Sequence, residues 1–365
     1  MKTVYHILDA RKAHHVPHKI SMFNRMESPG YRQIFILTGM GRERGDSYAK
    51  ALSDVSPRQL MCSSFGILLF LKMSMNVFAC DVLFLSHSAN IRLVSLFSIL
   101  TAPLRRCAIK WICWGPGIEY KPGFLGWLGA LVKRASYNSF DQIVCLIAPD
   151  AEMLTRRLRV TANVSVIPYL FDPCDHAVSA STKPNLRDGK TNILIGNSAS
   201  AANEHIALFD LLSKFRNENI RVITFLNYSN KDRQYVARVV RRGDQLFKDH
   251  FLYYLNLVSR RDYYSVMRFI DMTILPQLKQ AGGAAIYQTV KQRGIVVLNE
   301  AGRNKAWMSS LGIKTLSLGD LERATSLSEV MGMIPEHVRE ESTLRLNRVL
   351  DNRKLARQWK SVLLT

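Results

Sequence analysis

Residues 192–208 run from an apolar segment through Gly196, Asn197 and Ser198 to a stretch with Ile206, Leu208, Phe209 and Leu212 at helical spacing. The apolar segment reads as a buried strand, the small polar residues as a sharp turn, and Asn203 as the N-cap of a helix. A strand turning through small residues into a helix presents unpaired backbone N–H groups and a positive dipole end to an anion such as a diphosphate. Many α/β proteins make the same turn for packing alone. A second instance adds weight: Lys279, Gln280, Gly282 and Gly283 follow the apolar run 272–275 and open another helical stretch, and small residues there permit close backbone approach to a phosphate. Asn299 and Glu300 end the next apolar run and offer polar contacts.

Proton transfer has two candidate sources. The run Val4–Leu8 leads into Asp9 and a loop holding His14, His15 and His18. Imidazole titrates near neutrality and suits a general base, with His15 or His14 preferred, although a surface loop can also simply contain histidines. His14 and His18 are four apart, but Pro17 disfavours the helix that would align them on a metal. Glu119, after Trp114-Gly115-Pro116-Gly117, is the alternative base; a structural turn with a solvated glutamate is an equal reading. Gly39-Met-Gly41-Arg-Glu-Arg-Gly45 has the wrong spacing for a dinucleotide fingerprint and reads as a connection. No Asp-x-Asp occurs, so neutralisation of a diphosphate is expected from helix ends and cations, without a metal cofactor. Serine-hydrolase elbows, Walker loops and His-Glu-x-x-His are absent as well.

The elements that must position these residues alternate along the whole chain. Strands are expected at 3–8, 32–38, 82–86, 108–113, 142–147 and 163–168, with helices near 57–78, 89–101, 124–137 and 150–159. Residues 174–191 are polar and aperiodic, as a linker should be. A second alternation places strands at 192–196, 220–226, 251–255, 272–275, 295–299 and 314–317. Ser259 with Asp262 resembles a capping arrangement for the next helix, and the tail is helical in pattern. The expected organisation is an N-terminal Rossmann-like domain (1–173), the linker (174–191), a C-terminal Rossmann-like domain (192–338) and a helical tail (339–365). Near-continuous apolar strands argue for parallel sheets covered on both faces, and two such domains leave a cleft at the carboxyl ends of their strands, where ligands bind. GT-B glycosyltransferases, periplasmic-binding-type proteins and some epimerases share this α/β plan.

Composition narrows the partners. The 365 residues carry a formal charge of +21, which calls for an anionic partner or a basic solvated surface. The cations come in pairs at expected helix edges, Arg105-Arg106, Lys133-Arg134, Arg156-Arg157, Arg241-Arg242 and Arg260-Arg261, with no long basic tail and no RRM, zinc-finger or basic-zipper signature. A membrane surface or a phosphate ligand is therefore favoured over nucleic acid. Six scattered cysteines without Cys-x-x-Cys fit free thiols in a reducing cytoplasm, and the N-terminus reads as a strand beginning, with no signal peptide. Lys72, Asn76 and Asp81 interrupt the apolar stretch 61–85, so no transmembrane segment is expected.

At these residues the chain resembles the family 56 glycosyltransferases. The matching motifs are His6-Ile-Leu with His14-His15 and Phe23-Asn24; Trp114-Gly115 with Tyr120; Phe171-Asp172-Pro173; Ile193 to Ser198 with Asn203-Glu204-His205-Ile206; and Gly283 through Gln292, Gly294 and Val297-Leu298-Asn299. The resemblance covers most of the chain in motif order, and the Gly-Asn-Ser…Asn-Glu-His-Ile block is its specific part. It departs where a Trp-Gly-Ala-Asp-type motif reads Trp114-Gly115-Pro116-Gly117, losing the acidic residue, and over 277–285.

The resemblance implies a GT-B fold and transfer of 4-acetamido-4,6-dideoxygalactose from its TDP form to a polyprenyl-diphosphate-linked acceptor in enterobacterial common antigen synthesis. The donor would lie in the C-terminal domain, and the protein would act peripherally at the cytoplasmic face of the inner membrane. The expected donor-binding set is Gly196, Asn197, Ser198, Asn203, Glu204, His205, Tyr228, Gln280, Gly282, Gly283 and Asn299, with His15, His14 or Glu119 as base. A nucleotide-sugar epimerase or hydrolase, or a non-catalytic binder of phosphorylated ligands, is the alternative.

Overall fold

The computed structural model describes residues 1–10, 16–24, 26, 30–39, 60–63, 66–87, 91–115, 118–119, 123–170, 186, 188–228, 232–256 and 258–365. The chain forms two compact units, one of Met1–Leu170 with Asn352–Thr365 and one of Phe171–Asp351. The strands of the first unit are β1 (Lys2–Asp9), β2 (Tyr31–Thr38), β3 (Leu60–Ser63), β4 (Val82–Ser86), β5 (Ala108–Cys113), β6 (Gln142–Cys145) and β7 (Asn163–Val166). They pair in the order β3-β2-β1-β4-β5-β6-β7, all parallel. The second unit has β8 (Thr191–Ile195), β9 (Ile220–Phe225), β10 (Phe251–Tyr254), β11 (Met272–Leu275), β12 (Ile295–Leu298) and β13 (Leu316–Ser317), in the order β10-β9-β8-β11-β12-β13, again all parallel. In both sheets the order reverses beside the first strand, between β1 and β4 and between β8 and β11. That is the switch point where open sheets of this kind bind ligands.

The first unit's helices are α1 (Val16–Asn24), α2 (Gly66–Met75), α3 (Ile91–Thr101), α4 (Phe124–Asn138) and α5 (Ala148–Glu152). The expected helix at 57–78 is corrected: β3 occupies Leu60–Ser63 as an edge strand, and α2 starts only at Gly66. Residues 150–159 are not one α-helix either, because α5 passes into a π-helical turn at Met153–Arg157. The second unit carries α6 (His205–Leu212), α7 (Arg233–Phe247), α8 (Arg260–Met267), α9 (Gly283–Lys291), α10 (Arg303–Ser310), α11 (Leu318–Arg323), α12 (Leu327–Gly332) and α13 (Glu336–Val349). Ser259 caps α8 as expected, accepting from the Asp262 amide. Most of the linker lies outside the described residues, but its end already belongs to the second unit: Asp188 pairs with Arg221 at 2.6 Å and Leu186 is buried in that unit's core. The helical tail divides, since α13 lies in the second unit and α14 (Asn352–Leu364) in the first.

Helix α14 is fastened to the first sheet by a buried aromatic and imidazole cluster. Trp359, fully buried, stacks on Tyr169 at 5.4 Å and meets Phe23 edge-on, while its indole N–H donates to the Pro168 carbonyl at 2.9 Å. Beneath it a chain of hydrogen bonds crosses the switch point. Gln33 Nε2 donates to the Phe23 carbonyl, which turns Gln33 Oε1 toward His6 Nε2 at 2.9 Å. His6 therefore carries its proton on Nε2, and its Nδ1 accepts from His87 Nε2 at 3.1 Å. His87 Nδ1 then accepts from the Tyr169 hydroxyl at 3.2 Å. Every proton in the chain points one way, and the arrangement holds only while both rings are neutral.

Burial keeps them so, pushing His6 down to about 3 and His87 well below the usual imidazole value, the latter with help from the nearby Lys19 charge. In the unfolded chain both rings bind a proton as the pH falls below about 6.5. The folded state does not, so the stability these rings contribute is complete above that pH and is lost as the pH drops from 6.5 toward 3. Urea unfolding should therefore show stability falling with acid by about 1.4 kcal/mol per pH unit for each buried histidine. A flat profile between pH 7 and pH 5 would contradict the tautomers assigned here.

Candidate functional site

The second unit's switch point is built by the segments that follow β8, β9 and β11. Gly196 ends β8 with φ +71°, and its amide donates to the Ile274 carbonyl at 3.0 Å, carrying the β8–β11 ladder one residue further. A side chain there would collide with His205 Nε2, 2.7 Å from the ideal Cβ position, and with Asn203. Only glycine fits this position.

The loop beyond is held by one side chain. Asn203 Oδ1 accepts from the Asn197 amide at 3.1 Å, and its Nδ2 donates to the Ser198 carbonyl at 2.8 Å and to Ser198 Oγ at 3.1 Å. Backbone partners on both ends fix which atom of the amide is oxygen, so Gln277 Nε2, which also meets Asn203 Oδ1, is the donor. The same nitrogen donates to Asn197 Oδ1 at 3.2 Å, leaving Asn197 Nδ2 to donate to the Tyr228 hydroxyl at 3.0 Å. Burial pushes that phenol up to about 12. Asn197, Asn203, Tyr228 and Gln277 thus form one neutral network with a fixed direction, and the Tyr228 carbonyl takes the Ala199 amide at 2.9 Å.

Three sequence expectations change here. Asn203 is not the N-cap of α6: it ends a 3-10 turn, and α6 starts at His205 after Glu204, whose φ is +49°. The amides of Gly196 and Asn197 do not face a ligand, because the Ile274 carbonyl and Asn203 take them. His205, expected in the donor-binding set, offers no charged group to a diphosphate. It is fully buried, its Nδ1 lies 3.0 Å from the Tyr235 hydroxyl, and burial pushes it down to about 4. Asn299 spends its carboxamide oxygen on the Ala301 amide at 3.0 Å, closing the turn after β12.

The loop after β11 keeps its open geometry. Gly282 adopts φ +65° as the N-cap of α9, and an added Cβ would lie 3.3 Å from Asn197 Cβ, so the two small-residue loops touch. Gly283 is different: a Cβ built there meets only Tyr287, at 3.9 Å. Helix α9 starts without a side-chain cap, and the first amide to find a backbone partner is Ile286, on the Gly282 carbonyl. The preceding N–H groups project from the helix start, as geometry requires. In the segments that follow β9 and β11, Asn227 Oδ1, Gln277 Oε1 and Gln280 Oε1 are buried with no hydrogen-bond partner among the described residues. Such acceptors are costly unless a ligand or water supplies a donor.

In the first unit, His14 and His15 lie outside the described residues. Glu119 is half-buried beside the fully buried Ile118, and its carbonyl accepts from Lys133 Nζ at 2.8 Å. Sequence reasoning missed His87 and Gln277. A polar residue within two positions of the end of an apolar strand, at the carboxyl edge, was the available signal for both. Among the described residues no cluster of three or more His, Cys, Asp or Glu side chains has a metal-binding arrangement.

Known proteins share both the fold and the sequence pattern. A glycosyltransferase from Rickettsia africae superposes with a TM-score of 0.70 at 13% identity, covering 99% of this chain and 97% of that one. Anabaena HepE in complex with UDP and glucose gives 0.72 at 13% identity, covering 100% and 99%. A UDP-forming trehalose-phosphate synthase from Burkholderia xenovorans gives 0.64 at 10% identity, covering 100% and 99%. The fold is therefore the two-domain α/β arrangement of GT-B glycosyltransferases. Residues 1–320 match the family described as 4-alpha-L-fucosyltransferase, glycosyl transferase group 56. With seven-eighths of its length matched, the chain belongs to the group 56 glycosyltransferases and is an enzyme of that class.

Proposed function

We propose that this glycosyltransferase moves a deoxyamino sugar of the 4-acetamido-4,6-dideoxygalactose type from a TDP-sugar to a polyprenyl-diphosphate-linked oligosaccharide. The setting is synthesis of an enterobacterial-common-antigen-like surface polysaccharide, at the cytoplasmic face of the inner membrane. The contact between Asn197 and Gly282 carries the donor half of this reading: two small-residue loops meet at the second unit's switch point, beside an uncapped helix start. The donor diphosphate sits on the N–H groups of Gly283 and Ala284, where the dipole of α9 favours negative charge. The same groups stabilise the charge that grows on the departing nucleoside diphosphate, and no metal is required for it.

Gln280 Oε1 and Gln277 Oε1 accept from donor N–H or O–H groups, which satisfies two buried acceptors. Asn197, Asn203 and Tyr228 hold the loops in register, and Glu204 provides the reversal into α6. His15 or His14, with Glu119 as the alternative, takes the proton from the acceptor hydroxyl. UDP bound to a protein of the same fold supports the nucleotide reading, and the family's 4-alpha-L-fucosyltransferase description supports a 6-deoxyhexose.

Assays with a TDP-sugar panel and a polyprenyl-diphosphate-linked acceptor should show acceptor-dependent turnover that persists in EDTA. Donor consumption without acceptor, or activity recovered only on adding magnesium, would overturn the reading. Gly283→Ala should leave the unfolding midpoint unchanged, since the methyl has room, yet raise KM for the donor by roughly ten- to a hundredfold, because the methyl holds the diphosphate off the retained N–H groups and weakens about one charge-assisted hydrogen bond. Gly282→Ala should instead lower stability, because its φ is +65° and Leu275 lies in the way. Of the separate alanine variants of His14, His15 and Glu119, one should lose roughly 100-fold or more in rate. Three unchanged rates would eliminate this choice of base.

A further inference from the structure

Helices α2, α3 and α4 lie side by side on one face of the first unit's sheet, with α3 packed between the other two. Each is apolar on two sides. Leu69, Met73, Val94, Phe97 and Tyr137 face inward and fill the core. Facing outward, Leu71, Met75 and Phe78 recur at i, i+4 and i+7 along α2 and its exit. Leu96, Leu100 and Leu104 follow at i, i+4 and i+8 along α3 and its exit, and Trp127, Leu131 and Val132, at i, i+4 and i+5, are exposed on α4. Eleven of the seventeen large apolar side chains exposed among the described residues belong to these three helices and their exits. Scattered single exposures are ordinary, whereas a contiguous concentration of this kind marks an interaction face.

Charge identifies what the face fits. The three helices contain Lys72, Arg92, Lys133 and Arg134 and not one aspartate or glutamate; Lys72 Nζ lies over the Tyr5 ring and Lys133 donates to the Glu119 carbonyl, so Arg92 and Arg134 are the cations this face offers first. Elsewhere the chain uses mixed charge on exposed helix surfaces, as on α13 with Glu340, Glu341, Arg345 and Arg348. A second copy pressed against the face would set cation against cation with no carboxylate between them. An anionic bilayer surface complements both properties at once, taking the leucine and tryptophan side chains into the headgroup–acyl boundary and the cations at lipid phosphates. Helix α4, the longest of the three at 15 residues, is about 22 Å long, short of the roughly 30 Å hydrocarbon core. No described helix is long and apolar enough to cross a membrane. Helices of this length that meet a bilayer lie along its surface.

We infer that the α2–α3–α4 face is the surface by which this enzyme docks on an anionic lipid bilayer. The inference deepens the lipid-linked-acceptor reading and rests on it for the reason a bilayer would be at hand. The full chain should sediment with phosphatidylcholine vesicles containing phosphatidylglycerol and much less with phosphatidylcholine alone. Brominated acyl chains should quench Trp127, and Trp127→Phe should remove most of the quenching while vesicle binding persists. The double variant Leu100→Glu, Leu131→Glu should keep its unfolding midpoint and lose roughly tenfold or more of its vesicle affinity. Arg92→Glu should weaken binding only to vesicles containing phosphatidylglycerol.

Failure of the wild-type chain to bind vesicles, binding without Trp127 quenching, or a dimer that the double variant dissolves would each overturn the inference. If vesicle binding behaves as stated but no lipid-linked acceptor supports transfer, the acceptor reading falls and the docking face stands. Retained transfer to a detergent-dispersed acceptor by the double variant would separate docking from chemistry.

Discussion

The carboxamide of Asn203 is the tie on which the geometry of the second unit's carboxyl edge depends. The chain leaves β8 at Gly196 with a left-handed backbone, so the next amide has no strand partner and needs another acceptor. Asn203 supplies it, returns through its own Nδ2 to Ser198, and receives Gln277 from the segment after β11. One neutral side chain therefore joins two loops that are distant in sequence and sets Asn197 beside Gly282. An unpaired buried amide costs about 1–3 kcal/mol, so the loops hold one another in place before any ligand arrives. The tie also avoids charge. A carboxylate here would repel a diphosphate, and an arginine would pre-empt the helix dipole; carboxamides do neither.

The two sheets share a strand order, but the described polar groups beside their switch points are arranged differently. In the first unit, His6, His87, Gln33 and Tyr169 satisfy one another in a directed chain sealed beneath Trp359. His6, Gln33 and His87 are buried and Tyr169 is half-buried, and burial enforces the neutrality of both imidazoles. In the second unit the chain of hydrogen bonds stops short: Gln277 and Gln280 keep buried oxygens without donors, next to a helix start with open space over Gly283. A satisfied network stabilises a fold, whereas an incomplete one beside an opening leaves room for a ligand to complete it. Topology alone does not separate these cases; the side chains do.

Much of the fold is visible in the sequence because buried parallel strands are written as short continuous apolar runs, and twelve of the thirteen strands among the described residues follow from them. The strand β3 was absorbed into a longer apolar stretch, since Leu-Met-Cys-Ser at a sheet edge has no period to distinguish it from the helix that follows. Asn203 was misread for a chemical reason. A small polar residue ahead of an apolar helical run is the signature of an N-cap, and the same carboxamide can instead cross-link a loop. The direction of the Gly196 amide depends on the Ile274 carbonyl, 78 residues away, which no local pattern reports. The tail showed its helices but not their assignment to different sheets, because amphipathic spacing marks a buried face without naming what buries it.

The paired arginines tell a similar story about charge. Arg105 is only 8% exposed in its side chain, pairs with Asp141 at 3.0 Å and donates to the Ser98 and Ser139 carbonyls, so its role is structural. Arg242 is engaged with Asp210. A surface ion pair contributes about 0–1 kcal/mol, but it also removes a cation from the set that can attract lipid. Net charge thus overstates the electrostatic attraction that the docking inferred above would draw on. What remains concentrated is the apolar layer of α2, α3 and α4 with a few cations and no acid. On a bilayer, the apolar area buried by such a face would set how tightly it holds, and the cations, screened beyond about 8 Å at physiological salt, would set which lipids it prefers. The separation follows from range: hydrophobic contact acts only on the docked protein, while the charge acts on the approach and on headgroup choice.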